Sequence, residues 1–89
     1  MTKEFLIHLI NSGSVEVDDI IDYIDSECKP LTYDADGFPK HYIRFVGERI
    51  ALFKRINKNE AIEVKPTGKL KVEFIKWANL YDFLKSCIQ

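Results

Sequence analysis

From position 40 to position 71, apolar residues recur at a spacing of two, as at Ile43 and Phe45 and at Ile50 and Leu52, and this period is typical of a half-buried β-strand. The alternation is interrupted at Val46-Gly47-Glu48-Arg49. Glycine at the first central position supplies the positive φ that a type II′ turn requires, so this tetrapeptide predicts a two-residue hairpin. The turn sets Val46 opposite Arg49. Because the turn fixes the register, it also determines which side chains share a face of the sheet.

The register separates two kinds of side chain, since cross-strand partners lie on the same face. One face is apolar and is predicted to be the core side, with Ile43, Phe45, Ile50, Leu52 and Ile56. The opposite face is cationic and aromatic, with the pairs Arg44 and Ala51, Tyr42 and Phe53, and Lys40 and Arg55.

The alternation also predicts later strands, the last of which runs from Lys69 to Ile75. Their apolar residues join the core side, namely Ile62, Val64, Leu70, Val72 and Phe74. Their charged residues join the opposite face, namely Glu63, Lys65, Lys71 and Glu73.

Helical spacing precedes the predicted sheet. Thr2 is a favourable N-cap for a first helix, and Gly13 is placed to end it. A second helix is predicted from Asp18 to Glu27, and Lys29-Pro30 ends it. The apolar stripes of these two helices are Phe5, Leu6, Leu9 and Ile10, and Ile20, Ile21 and Ile24.

Turn-forming residues dominate the segment between the second helix and the sheet. Pro30, Gly37 and Pro39 predict a loop there, with room for a short strand at 31–33. After the last predicted strand, Asn79 is expected to cap a closing helix. The chain is therefore predicted to be one α+β domain over residues 1–89, with two N-terminal helices, a four-stranded antiparallel meander and a C-terminal helix.

Composition argues against several classes of protein. No apolar run approaches the roughly 20 residues that span a bilayer, and residues 1–4 lack a signal-peptide pattern, so no membrane contact and a cytoplasmic location are expected. Cys28 and Cys87 are too few and too far apart for a disulfide framework, and both are expected to be buried, reduced thiols. Neither His8 nor His41 has a partner at metal-ligand spacing, so no metal or other cofactor is expected.

Charge is divided unevenly along the chain. Residues 1–39 carry a net charge of −7, whereas residues 40–89 carry +6, although the whole chain is close to neutral at −1. Such a split indicates either a charged partner or two parts of one fold that neutralise each other. Charge patterning concerns partners and not the fold, so the sequence leaves both alternatives open.

The cationic and aromatic face of the sheet suggests that the protein binds nucleic acid without catalysis. Lysine and arginine would contact phosphates, while the aromatic rings would stack on exposed bases. The predicted contact residues are Lys40, Tyr42, Arg44, Arg49, Phe53, Arg55, Lys65 and Lys71. If a helix covered this face, Tyr42 and Phe53 would instead belong to the core.

A protein-binding inhibitor is the close alternative. Length and composition are typical of small phage and mobile-element products that block a host protein by docking on it. The second predicted helix would present its acids to a basic surface such as the nucleic-acid channel of a nuclease, with Asp18, Asp22, Asp25 and Glu27 as contacts. A solvated polar face on a surface helix would show the same pattern.

Residues 42–85, with the segments RIALFKRINKN and IEVKPTGKLKV and a closing helix, resemble the C-terminal double-wing DNA-binding domain of T4-like phage middle-promoter activators. That family places a curved sheet against DNA. The resemblance implies a sheet-mediated nucleic-acid contact and transfers no role to an individual residue.

The segment HYIRFVGERIALFKRINKNEAIEV is similar to the central strands of RelE/ParE-type toxins, in which a short meander follows a helical pair. The resemblance implies ribonuclease activity, with a histidine as acid or base and cations that stabilise the phosphorane charge. The residues that it would use are His41, Tyr42, Arg44, Arg49 or Arg55. We rank this function third, after nucleic-acid binding and protein inhibition.

Overall fold

The structure is a computed structural model that describes residues 2–88. Its helices are α1 (Lys3–Asn11), α2 (Val17–Glu27) and α3 (Gly68–Cys87), and its strands are β1 (Thr32–Tyr33), β2 (Pro39–Val46), β3 (Arg49–Asn57) and β4 (Glu60–Glu63). The four strands form one antiparallel sheet in the order β1-β2-β3-β4. The predicted α+β class and the four-stranded meander are confirmed.

The two N-terminal helices begin and end where local signals place them. The Thr2 hydroxyl accepts a hydrogen bond from the Phe5 backbone N–H at 3.1 Å, and Gly13 follows the helix with a φ of 77°. The backbone N–H of Glu16 donates to the Asp19 carboxylate at 2.9 Å at the start of α2. Because these contacts satisfy backbone groups at the helix ends, they define helix boundaries close to those predicted.

The central hairpin has the predicted register. Val46 lies opposite Arg49, and Tyr42 lies opposite Phe53. Gly47 has a φ of 63°, as the first central residue of a type II′ turn requires. The local chemistry of one turn therefore sets the two faces of β2 and β3.

The helices pack on the apolar side of this hairpin. Phe45 and Ile50 contact the core cluster formed by α1, α2 and α3. The Phe45 ring meets the Tyr81 ring edge-on, with 5.0 Å between centroids, and the Tyr81 hydroxyl donates to the Glu48 carbonyl at 2.5 Å. The predicted core side is therefore confirmed for this end of the sheet.

The far end of the sheet extends beyond the helical core. Ile56 and Ile62 are 49% and 47% exposed although both were predicted to be core residues. Ile62 lies on the expected side of the sheet because it pairs with Lys54, whereas Ile56 lies at an irregularity in the β3–β4 register between Arg55 and Asn57. The prediction of burial is wrong because little of the fold packs over this end.

The predictions for the C-terminal quarter are wrong in their boundaries. No strand covers Lys69 to Ile75, and no new helix begins at Asn79, because α3 runs without interruption through both segments. In a helix, Leu70, Phe74 and Trp77 share one side, and these are the half-buried residues. Val72 points away and is 68% exposed. The fourth strand of the meander is β1, which the sequence predicts as the short strand at 31–33.

Candidate nucleic-acid interface

The side of the sheet opposite the helices, which we call the open face, is formed by alternate residues of β2 and β3 and by part of β4. Pairing and alternation place on it Lys40, Tyr42, Arg44, Arg49, Ala51, Phe53, Arg55 and Glu63. Neither Tyr42 nor Phe53 belongs to the core cluster of the described residues. The predicted cationic and aromatic face is thus present and is not the helix-packing face.

Tyr42 and Phe53 form a stacked pair at the centre of the open face. Their ring centroids are 6.4 Å apart and their planes differ by 15°. The Arg44 guanidinium lies 5.4 Å from the centroid of Phe53. Cross-strand pairing brings the two rings together, and a cation over an aromatic face is electrostatically favourable. The three side chains thus form one cluster on the open face, with two half-buried aromatic rings and an exposed cation.

Arg49 is on the open face but has a carboxylate partner. Its Nη1 donates to Glu63 Oε2 at 2.6 Å and its Nη2 to Glu63 Oε1 at 2.9 Å. This fork raises the pKa of Arg49 and lowers the pKa of Glu63. Both side chains remain exposed, at 57% and 44%, so water screens the pair. Glu63 therefore partly neutralises the charge of Arg49 and makes this arginine a weaker candidate for a phosphate contact.

Arg55 holds the β1–β2 turn against the sheet. Its Nε donates to the Pro39 carbonyl at 2.9 Å, its Nη2 pairs with the Asp34 carboxylate, and its guanidinium lies 5.6 Å from the Phe38 ring centroid. The backbone N–H groups of Phe38 and Asp36 donate to the same carboxylate, and the bond from Phe38 is the main cause of the lowered pKa of Asp34. Because its Nε and Nη2 both bind the β1–β2 turn, Arg55 has a structural role.

The remaining predicted cations do not all lie on the open face. Lys40 is exposed there, in the same alternation as Tyr42. Lys65 lies in the link between β4 and α3, and Lys71 lies on α3, which packs against the opposite side of the sheet. The placement predicted for Lys71 is wrong because it depended on a strand from 69 to 75, whereas Lys65 follows Val64, whose backbone N–H still donates to the Leu52 carbonyl at 2.9 Å.

The structure therefore brings together a smaller site than the sequence predicts. Lys40, Tyr42, Arg44 and Phe53 remain available, while Arg49 and Arg55 are paired. Sequence reasoning missed both pairings. Glu63 was placed on the correct face but not against Arg49, and Asp34 is separated from Arg55 by 21 residues without a local signal that joins them.

The acidic helix α2 presents the other predicted surface. Asp18, Asp22, Asp25 and Glu27 are all exposed. The two ion pairs found among residues 2–88 involve none of them. Partial burial and then the neighbouring Asp22 raise the pKa of Asp25, which is the direction expected where negative charges lie close together.

His41 lies on the other side of β2 from Tyr42 and Arg44. Its Nδ1 is 2.7 Å from the Thr32 hydroxyl oxygen. Burial lowers the pKa of His41, and Lys40 and Lys54 lower it further. The residues named by the resemblance to RelE/ParE-type toxins are therefore divided between two faces.

The cysteines are both free thiols. Cys28 is half-buried, and burial raises its pKa to about 11, so the reactive thiolate is scarce at neutral pH. Cys87 is exposed, and the expectation that it is buried is wrong.

Within residues 2–88, no three histidine, cysteine, aspartate or glutamate side chains gather where they could hold a metal ion. No helix of that part of the chain has both the length and the apolar character needed to cross a membrane. Comparisons with protein families, characterised proteins and solved structures found no match to this chain.

Proposed function

We propose that the protein binds single-stranded nucleic acid on the open face of its sheet, without catalysis, as a small regulatory protein of the phage or mobile-element kind. The observation that supports this proposal is the stacked pair of Tyr42 and Phe53 with Arg44 over the Phe53 ring. Stacking of a base on an aromatic side chain contributes about 1–3 kcal/mol, and it requires bases that are not paired in a duplex.

Charge supports the same surface. Arg44 and Lys40 are exposed and lie outside both ion pairs found among residues 2–88. A strand whose base rests on the aromatic pair has phosphates within reach of such side chains at the edge of the face. The aromatic rings would then supply affinity, and the cations would orient the backbone.

Fluorescence anisotropy with labelled oligonucleotides of DNA and RNA tests the proposal. Single strands should bind more tightly than the matching duplex. Tyr42→Ala should weaken binding about 5- to 150-fold, as expected for the loss of one stacked base. Arg44→Ala should also weaken binding because it removes a cation from the face.

Two variants serve as matched controls. Phe83→Ala removes an exposed aromatic ring from α3, and Lys3→Ala removes an exposed cation from α1. Neither should change the affinity by more than about twofold, since surface changes away from a site have small effects. Absence of binding at low salt would refute the proposal, and RNA cleavage lost in His41→Ala would refute its non-catalytic part.

The second candidate function is inhibition of a protein that has a basic surface. The specific observation in its favour is that α2 carries five acidic residues and no basic one, with four of the acids exposed. Binding of a nuclease with a basic channel should be lost in Asp22→Lys with Asp25→Lys. It should persist in Arg44→Ala, whereas the opposite result would favour the nucleic-acid proposal.

A further inference from the structure

A groove of about 880 Å³ lies beside the aromatic pair. The link after α2, the β1–β2 turn and the strands β2 and β3 all contribute to its walls. The residues that concern its chemistry are Lys29, Asp36, Phe38, Tyr42, Arg55 and Lys58. A groove of this size is within the range of pockets that bind small molecules.

Tyr42 belongs both to the groove and to the stacked pair. A ligand that contacts Tyr42 therefore lies next to the groove. Phe38, which is 60% exposed, is a second aromatic residue of the groove. An exposed aromatic ring is a surface on which a base can stack.

The charges of the groove favour a ligand with both an anionic and a hydrogen-bonding part. Arg55 and Asp34 neutralise each other. Lys29 and Lys58 then remain as cations, and Asp36 remains as a carboxylate outside the ion pairs of residues 2–88. A nucleotide has this combination, since its phosphate attracts lysine and its base offers N–H groups to a carboxylate.

We propose that the groove is a second base subsite of the same surface and that Asp36 makes it selective for guanine. This inference rests on the proposed binding of single strands. Guanine carries two adjacent N–H donors, on N1 and N2, that match the two oxygens of one carboxylate. Adenine and thymine place an acceptor next to their N–H donors, and that acceptor would face the carboxylate unfavourably.

The test compares oligothymidylate with a strand of equal length in which guanine and thymine alternate. The wild-type protein should bind the guanine-containing strand about 5- to 150-fold more tightly, which is the range for one good bidentate contact to a base. Asp36→Asn should abolish this preference, so that the two strands bind with equal affinity, because an amide offers only one acceptor oxygen. Asp82→Asn, which removes an exposed carboxylate from α3, should retain the preference.

Equal affinity of the wild-type protein for both strands would overturn the guanine subsite and leave the proposed function in place. A guanine preference that survives Asp36→Asn would also overturn the guanine subsite. Failure to bind either strand removes the proposed function and the subsite with it. Asp36 is exposed in a turn, so the loss of one side-chain oxygen there does not threaten folding.

Discussion

Arg44, Arg49 and Arg55 all lie on the open face of the sheet, but each has a different environment. Arg44 lies over an aromatic ring, Arg49 pairs with Glu63, and Arg55 pairs with Asp34. Alternation along β2 and β3 predicts the face of each residue, and that prediction is confirmed. The carboxylate partners lie 14 and 21 residues away, so their positions depend on the whole fold and not on the local pattern.

The pair between Arg49 and Glu63 leads to a prediction at the residue scale. Glu63→Gln should strengthen binding of single strands about 1.5- to 5-fold, the effect expected for one exposed charge interaction. The change releases the Arg49 guanidinium and removes a negative charge from the open face. Anisotropy titrations at low salt would measure this gain.

Glu60→Gln is the control for this variant, because Glu60 is an exposed acid on the same strand and is not paired with Arg49. An equal gain from both variants would show that net charge, and not the release of Arg49, is responsible. A loss of affinity in Glu63→Gln would mean that the pair itself contributes to the binding surface.

At the scale of elements, a structure set by a few neighbouring residues could be predicted, whereas one set by a pattern over a longer stretch was missed. The β2–β3 hairpin is determined by its own turn, so its register could be predicted from four residues. The stretch from Lys69 to Ile75 alternates in sequence, yet Leu70, Phe74 and Trp77 have the spacing of a helical stripe that Tyr81 and Leu84 continue. The helical period can be recognised only if residues on both sides of position 79 are read together, and the sequence interpretation divided them by starting a helix at Asn79.

The inner stripe of α3 can be tested with two neighbouring residues. Leu84 is fully buried, whereas Phe83 is 55% exposed. Leu84→Ala should lower the free energy of unfolding by about 2–5 kcal/mol because it leaves a cavity in the core. Phe83→Ala should have an effect of about 0.5 kcal/mol or less. Urea unfolding measures both, and similar losses would contradict this packing of α3.

The hairpin turn gives a second prediction for an element. A Cβ added to Gly47 would meet no atom within 4 Å, so Gly47→Ala would introduce no steric clash with its surroundings. The φ of 63° should nevertheless cost about 1–2 kcal/mol of stability, since this conformation is strained for alanine. Glu48→Ala, at the other central position, should stay within about 0.5 kcal/mol. An unchanged urea midpoint in Gly47→Ala would contradict the assigned turn.

At the scale of the molecule, the two oppositely charged halves of the sequence share one core but are joined by few ion pairs. Of the two ion pairs among residues 2–88, the pair between Asp34 and Arg55 joins the acidic N-terminal half to the basic C-terminal half. The pair between Arg49 and Glu63 lies within the basic half. The exposed acids of α2 form no ion pair in this part of the chain, although the charge of Arg44 acts to lower the pKa of Asp25.

This distribution of charge predicts a shallow dependence of binding on salt. For single strands, the slope of log K against log salt is about −0.7 for each neutralised phosphate. Lys40 and Arg44 are the unpaired cations among the arginines and lysines described on the open face, so two contacts predict a slope of about −1.4. Titrations over a range of salt concentrations would measure this slope.

Six contacting cations, as the sequence alone suggests, would give a slope of about −4. A measured slope of about −2.8 would mean that Arg49 and Arg55 leave their carboxylates when the strand binds, because the open face then offers four cations. A slope of zero would mean that neither Lys40 nor Arg44 contacts a phosphate and that the aromatic pair alone binds the strand. A slope near −1.4 that steepens by about 0.7 in Glu63→Gln would show that the internal ion pairs, and not the number of basic residues, determine how many phosphates the face can hold.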